Sequence, residues 1–250
     1  MKNIIKNYHF TGRTKEHNGV TLKQIECEKY GLGGWIESEK NLSQKGTCWV
    51  YWDAMVHGDA VVRGSAEIFG RAEVYGNASV SGYAKVTDAK VYGNAKLYGS
   101  ANICGAAQVR GNARVHGGCV YGCAKVGGYA EVSSWACIFG NAIVGGNSQV
   151  YGEARISGNA KVYDYAVVSG DAKIYDNAFI YGKAEIKYYA QVYGDAVVDG
   201  NAVISGEAKV YGKAKVYGSA VLYGKAKIRG NEYVKSGEYY KSNIKYNTYE

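Results

Sequence analysis

Proline is absent from the 250 residues, and methionine, phenylalanine, tryptophan and histidine are scarce, with 2, 4, 4 and 4 copies. Without proline, the 35 glycines do not describe a collagen-like chain or a Pro/Gly-rich linker. Long apolar runs are also missing. Lys, Glu, Asn or Gly interrupts every one, so no membrane-spanning helix is expected. The opening stretch MKNIIKNYHF lacks the apolar centre of a secretion signal. The six cysteines form no disulfide-like framework, which fits a reducing compartment. A cytoplasmic protein with no membrane partner is expected. The formal charge of +8 permits an anionic partner without specifying one.

What is abundant is a six-residue unit, Ala-x-Val-x-Gly-x, running from about Ala54 to Val234. The aliphatic position recurs at Val56, Val62, Ile68, Val74, Val80 and Val86, resumes at Val91 after a step of five, and resumes again at Val120 after Val115. From Val120 it continues in unbroken sixes to Val234. Ala and the aliphatic residue stand two apart, so on a short strand both face one side. That side is predicted to be the core, with Gly at corners where a positive φ is needed. Three units make one triangular coil. Coils stacked at about 4.8 Å predict a rod of about ten coils, roughly 50 Å long.

Residues 1–33 do not fit the unit. Tyr8–Gly12 and Val20–Cys27 alternate in polarity, and the polar stretch Arg13–Gly19 lies between them, predicting a β-hairpin cap. Residues 34–53 read as an irregular first coil, with Trp35, Trp49 and Trp52 expected to plug the open end of the stack. Residues 34–234 form the repeat domain on this reading. Residues 235–250 are a Tyr- and Lys-rich cap or tail, with Tyr239, Tyr240, Tyr246 and Tyr249 expected to fold over the last coil.

The hexads resemble those of the left-handed parallel β-helix, the hexapeptide-repeat family. The resemblance implies an all-β, single-stranded left-handed parallel β-helix. Gly33-Gly34-Trp35-Ile36, Asn41-Leu42-Ser43 and Gly46-Thr47-Cys48-Trp49-Val50 are similar to the lead-in segment of bacterial and phage hexapeptide-repeat proteins. Those proteins are labelled transferase or polymer-forming and carry no established activity, and a phage origin is what this likeness implies. In this chain Gly sits two places after the aliphatic residue, where the family pattern usually has it one place after.

Sorting the hexads by threes separates three walls. One carries Arg155, Lys173, Gln191, Lys209 and Lys227 before the aliphatic residue, and Tyr175, Tyr193 and Tyr211 after it. Lysines neutralise anionic groups and tyrosine rings stack on bases or sugars, so Lys173, Tyr175, Tyr193, Lys209 and Tyr211 are the candidate ligand-binding residues. The expected ligand is a nucleotide, nucleic acid or glycan, and a protein partner is the other option. The other walls carry outward Ile143, Phe179 and Val197, and Val167, Val203 and Val221. Those rows predict a homo-oligomer, and the resemblance implies a trimer.

Enzymes of the resembled family chiefly transfer acyl groups from coenzyme A, using a His base near a loop that leaves the coil. This chain inserts no such loop between Val120 and Val234. His57 and His116 both follow an aliphatic position, are expected to point outward, and are the alternative catalytic bases, with coenzyme A as the alternative cofactor. A binding or scaffold protein without a cofactor is the expected class. A three-histidine zinc site is not expected, because His57 and His116 fall on different walls and His9 and His17 lie outside the repeat. Cys119, Cys123, Cys137 and His116 do not match a zinc spacing, so no metal is expected and the three cysteines are expected to be solvent-facing free thiols.

Overall fold

A computed structural model describes residues 8–240. The chain divides into two compact units, Met1–Ser134 and Trp135–Glu250. Both are all-β, and both are solenoids of stacked coils in which short strands, mostly two to four residues long, pair in parallel with the strand one coil later. Among the described residues no helix is long and apolar enough to cross a membrane.

The inward assignment holds along the repeat. Ala54, Val56, Ala60 and Val62 through Ala226 and Ile228 are buried to 0–1% exposure. Gly118 and Ser148 replace the inward alanine, and Ser148 satisfies its hydroxyl on the Gly145 carbonyl at 2.7 Å. Each wall is closed by backbone hydrogen bonds to the next coil, such as Lys173 N–H to Ala190 O at 2.9 Å. Most glycine corners leave little room for a side chain. At Gly146, with φ +63, a Cβ would lie 2.5 Å from the Asp164 nitrogen.

In the first unit the two five-residue steps only shorten corners. Lys90 pairs with Glu73 and Gln108, and Ile103 pairs with both Val86 and Val120, so the walls keep register. At the first step Asp88 (φ 57) occupies the corner, and its Oδ1 accepts the Arg71 N–H at 2.8 Å. In a regular corner that donor goes to a glycine carbonyl, as Asn77 N–H goes to Gly93 O at 2.8 Å. The aspartate thus replaces a carbonyl that the shorter corner lacks.

The N-terminal segment corrects the predicted hairpin. β1 (His9–His17) and β2 (Val20–Cys27) pair antiparallel down to His17–Val20, so Arg13–His17 is strand and the loop is only Asn18-Gly19. Both loop residues have positive φ, 50° and 78°. This is the Asn-Gly turn whose twist suits a two-residue hairpin. β3 (Gly31–Ile36) pairs antiparallel with β2 and parallel with Met55–Val56, so the hairpin extends one wall of the solenoid. Leu22, Ile25 and Ile36 are fully buried there. Met1–Asn7 of the predicted cap lie outside the described residues.

Only one of the three tryptophans is a plug. Trp49 is fully buried, with its ring stacked on Tyr30 at 5.2 Å and edge-on to Tyr8 at 6.2 Å. Trp35 is half-buried beneath the Lys15 ammonium, 4.5 Å from the ring centroid. Trp52 is exposed beside Tyr51 and Phe69. The packing differs because Trp49, outward in register with Glu67, is covered by Tyr8 and Tyr30 of the N-terminal segment, while Trp52 sits at a corner with φ 52.

In the second unit the coil pattern continues past the predicted end of the repeat at Val234. Glu238–Tyr239 pairs with Val221–Leu222, and Tyr240 packs on Tyr223 at 5.2 Å. Tyr246 and Tyr249 lie outside the described residues.

Tyr188 is one of several non-glycine corners at positive φ, and there the backbone has a cost. Tyr188 has φ 61 and a 60% exposed ring, at a position stacked on Gly170. A left-handed backbone costs a non-glycine residue about 1–2 kcal/mol, and glycine would lose about 0.5–1 kcal/mol more chain entropy on folding. Tyr188→Gly is therefore expected to stabilise the second unit by about 0.5–1 kcal/mol in chemical denaturation. Destabilisation by the substitution would mean that the tyrosine ring contributes more than its backbone costs.

Candidate functional site

The Tyr–Lys wall forms in the second unit as the spacing predicts. Arg155 pairs with Lys173, Lys173 with Gln191, Gln191 with Lys209 and Lys209 with Lys227. The row carries four cationic side chains interrupted by Gln191. Like charges opposed at coil spacing repel, so an anion lying along the row would relieve that repulsion. Beneath the row, Ile156, Ile174, Val192, Val210 and Ile228 are fully buried and fix the strand positions.

Tyr175, Tyr193 and Tyr211 follow those aliphatic residues and form a continuous stack. The ring centroids are 4.7 and 5.0 Å apart and the planes are within 4° and 2° of parallel. These distances match the strand spacing of a β-sheet, about 4.8 Å. The expectation that these rings stack on bases or sugars needs correction. Each interior ring face already contacts the next ring, and a base inserted between two rings would need the coils to separate. What the wall offers is ring edges and hydroxyls in file. Burial raises the pKa of both Tyr175 and Tyr193, and the neighbouring tyrosine raises each further. Both hydroxyls therefore stay protonated near neutral pH and can donate to an anion.

The corner beside this wall is also a ladder. Asn141 donates its amide to Asn159 Oδ1 at 3.2 Å, Asn159 to Asn177 at 3.0 Å, and Asn177 to Asp195 Oδ1 at 2.9 Å. The chain of amides holds successive corners in line and keeps the adjacent wall straight.

The outward apolar rows are half-buried rather than open. Val167, Glu185, Val203 and Val221 are in register, as are Ile143, Lys161, Phe179 and Val197. Phe179 is packed by Tyr163 at 6.0 Å and Tyr181 at 4.7 Å. Part of the apolar surface inferred from sequence is thus covered within the chain.

His116 and His57 differ. His116 is exposed and stacks on Tyr98 at 4.6 Å. His57 does project from its wall, but it is buried to 8% exposure, contrary to the outward, open position expected. The reason is His17, at the tip of the hairpin, whose ring meets that of His57 edge-on at 5.8 Å. Glu73, one coil on, lies against both. His17, His57 and Glu73 are the one group of three potential metal ligands among the described residues. Sequence reading set His17 aside as outside the repeat; the Asn18-Gly19 turn was the signal that could have placed it at a tip. Of the three expected surface thiols, Cys123 is exposed and Cys119 and Cys137 are half-buried.

Residues 154–170 and 190–206 match a family model described as the YdcK Beta solenoid repeat. Those coils, which hold Arg155, Gln191 and Tyr193 of the wall, are similar to that repeat. A search of curated proteins finds no match to the chain.

Proposed function

We propose that this chain is a non-enzymatic binding protein, a left-handed β-helix of the hexapeptide-repeat type, whose Tyr–Lys wall holds a linear anionic glycan along the stacking direction. The observation that carries this is the parallel stack of Tyr175, Tyr193 and Tyr211 beside the in-register Lys173 and Lys209. The wall repeats its cations and hydroxyls at coil spacing, which suits a polymer with regularly repeated carboxylates or sulfates. Sequestering such a polymer needs no chemistry. Nucleic acid is the weaker ligand, because base stacking requires free ring faces and the stack uses them. Single nucleotides meet the same limit.

The protein is further proposed to work in the cytoplasm as a homo-oligomer, a trimer, joined through the Val167–Val203–Val221 and Ile143–Phe179–Val197 rows. Coenzyme A-dependent acyl transfer is the alternative reading. It would rest on His116, since His57 is covered by His17.

The test is binding of the full chain to a polyuronate, a sulfated glycan, a neutral glycan and single-stranded DNA across salt concentration, with mass read by light scattering. Salt-sensitive binding to the anionic glycans is expected. Lys173→Glu with Lys209→Glu should weaken it at least about tenfold and reduce the salt slope by about 2. Preference for DNA, or binding that ignores the double substitution, would refute the glycan reading. A monomer at micromolar concentration would refute the trimer.

A further inference from the structure

We infer that His17, His57 and Glu73 form a binding site for a divalent transition-metal ion of the zinc class, which clasps the tip of the N-terminal hairpin to the solenoid wall. The site lies in the first unit and is independent of the Tyr–Lys wall. Glu73 is the centre. Its side chain is 5% exposed, and its Oε1 faces two imidazole nitrogens, His17 Nε2 at 2.9 Å and His57 Nε2 at 3.2 Å. Its other oxygen accepts from the Lys90 ammonium at 2.9 Å.

Burial alone would raise the carboxyl pKa. The hydrogen bonds from Lys90, His17 and His57 together outweigh it and hold the pKa at about 2.

The geometry suits a small ion. Zinc binds imidazole nitrogen and carboxylate oxygen at about 2.0–2.2 Å, so its ligand atoms stand about 3.3–3.5 Å apart on a tetrahedron. The three atoms here lie within 4.8 Å of one another, and the two measured edges are already within a few tenths of an ångström of the tetrahedral value. Two nitrogens and one carboxylate oxygen favour zinc or cobalt over magnesium or calcium, which take oxygen sets. Water fills the fourth position.

The surroundings hold the ligands in place. The His57 ring stacks on Tyr75 at 5.3 Å with planes 4° apart, and Tyr75 stacks on Tyr92 at 4.9 Å, which fixes the direction of Nε2. Lys90 pins the non-ligating carboxylate oxygen, the kind of outer contact that orients a metal ligand. The tight Asn18-Gly19 turn fixes His17 at the end of β1. His17 is 27% exposed, so an ion can enter from its side. The clasp joins residues 56 apart in the chain.

The experiment uses the full chain under reducing conditions, stripped with a chelator and titrated with Zn2+ and with Co2+. One equivalent should bind at micromolar affinity or better, with a rise in Tm and a Co2+ spectrum of nitrogen and oxygen ligation. His17→Ala, at a half-exposed tip, should weaken binding at least about tenfold. His17→Gln keeps a polar contact to Glu73 but is a poor ligand; it should retain the metal-free Tm and lose the metal-induced rise. Absence of stoichiometric binding at 100-fold excess of either ion would overturn the proposal. So would unchanged affinity in both His17 variants, or a thiolate-to-cobalt band, which would assign the ion to cysteines.

Discussion

Asn41→Ala is expected to destabilise the first unit by about 3 kcal/mol, most of it through backbone groups left unpaired. Asn41 is fully buried at the end of the short 3-10 turn Glu39–Asn41, just before β4 (Leu42–Gly46). Its backbone N–H is used inside that turn, on Ser38 O at 3.1 Å. Its side chain does what the backbone does in regular coils. The amide donates to Gly58 O and Ala60 O, both at 2.9 Å, and Oδ1 accepts the Ser38 N–H at 2.9 Å. Elsewhere such carbonyls receive main-chain donors, as Gly93 O and Ala95 O do from Asn77 and Ser79.

Truncation strands two carbonyls and one N–H at about 1–3 kcal/mol each when buried. The lower end of that range applies, because Ser38 and Gly58 are only half-buried and water can replace part of the loss. Urea unfolding should show the shift in midpoint, and hydrogen exchange should quicken around Leu42 and Val62. Asn41→Asp tests the mechanism, since it keeps the acceptor for Ser38 and removes both donors. If Asn41→Ala changed stability by less than 1 kcal/mol, the irregular first coil would not depend on this amide.

The second large effect is expected from Ile174→Ala, at about 3 kcal/mol. Ile174 is fully buried and in register with Ile156 and Val192 on adjacent coils. Removing a buried isoleucine costs about 2–5 kcal/mol, and more where the site cannot collapse. Here collapse is restricted. The strand is two residues long and is held on both sides, by Ser157 N–H to Ile174 O at 2.9 Å and by Tyr175 N–H to Val192 O at 3.1 Å. The inward slot therefore persists as a cavity.

A repeat contacts mainly its nearest neighbours, so protection should fall in the coils around Ser157, Tyr175 and Tyr193 and persist in distant ones. Tyr175 follows Ile174 directly, and loosening that strand should also weaken the proposed glycan binding. Uniform loss of protection along the unit would argue for a more cooperative solenoid than nearest-neighbour contacts imply. Ile174→Val, which leaves a smaller void, should cost about 1 kcal/mol.

Much of the solenoid was legible in the residues themselves. The spacing of two between Ala and the aliphatic residue admits one inward side, and a repeat of six admits a wall every third unit. Arg155, Lys173, Gln191, Lys209 and Lys227 could therefore be placed on one wall before any coordinates. The five-residue steps could not be resolved in that way. At the first of them the shortened corner uses one side chain, Asp88, turning its oxygen to the place of a missing carbonyl, and at the second it uses Gly117 and Gly118, both at positive φ.

Periodicity determined which residues face inward, because alternation on a strand and a fixed hexad are properties of the chain alone. Tertiary structure decided what the outward residues are worth. Only the stacked coils show that Tyr175, Tyr193 and Tyr211 spend their faces on one another at 4.7–5.0 Å. Only the docked hairpin turns His17 onto Glu73 and His57, across 56 residues of chain. Such contacts depend on distances between segments that no local spacing encodes. The His17 contact was settled where the Asn18-Gly19 turn and the wall at Met55–Val56 set the end of β1.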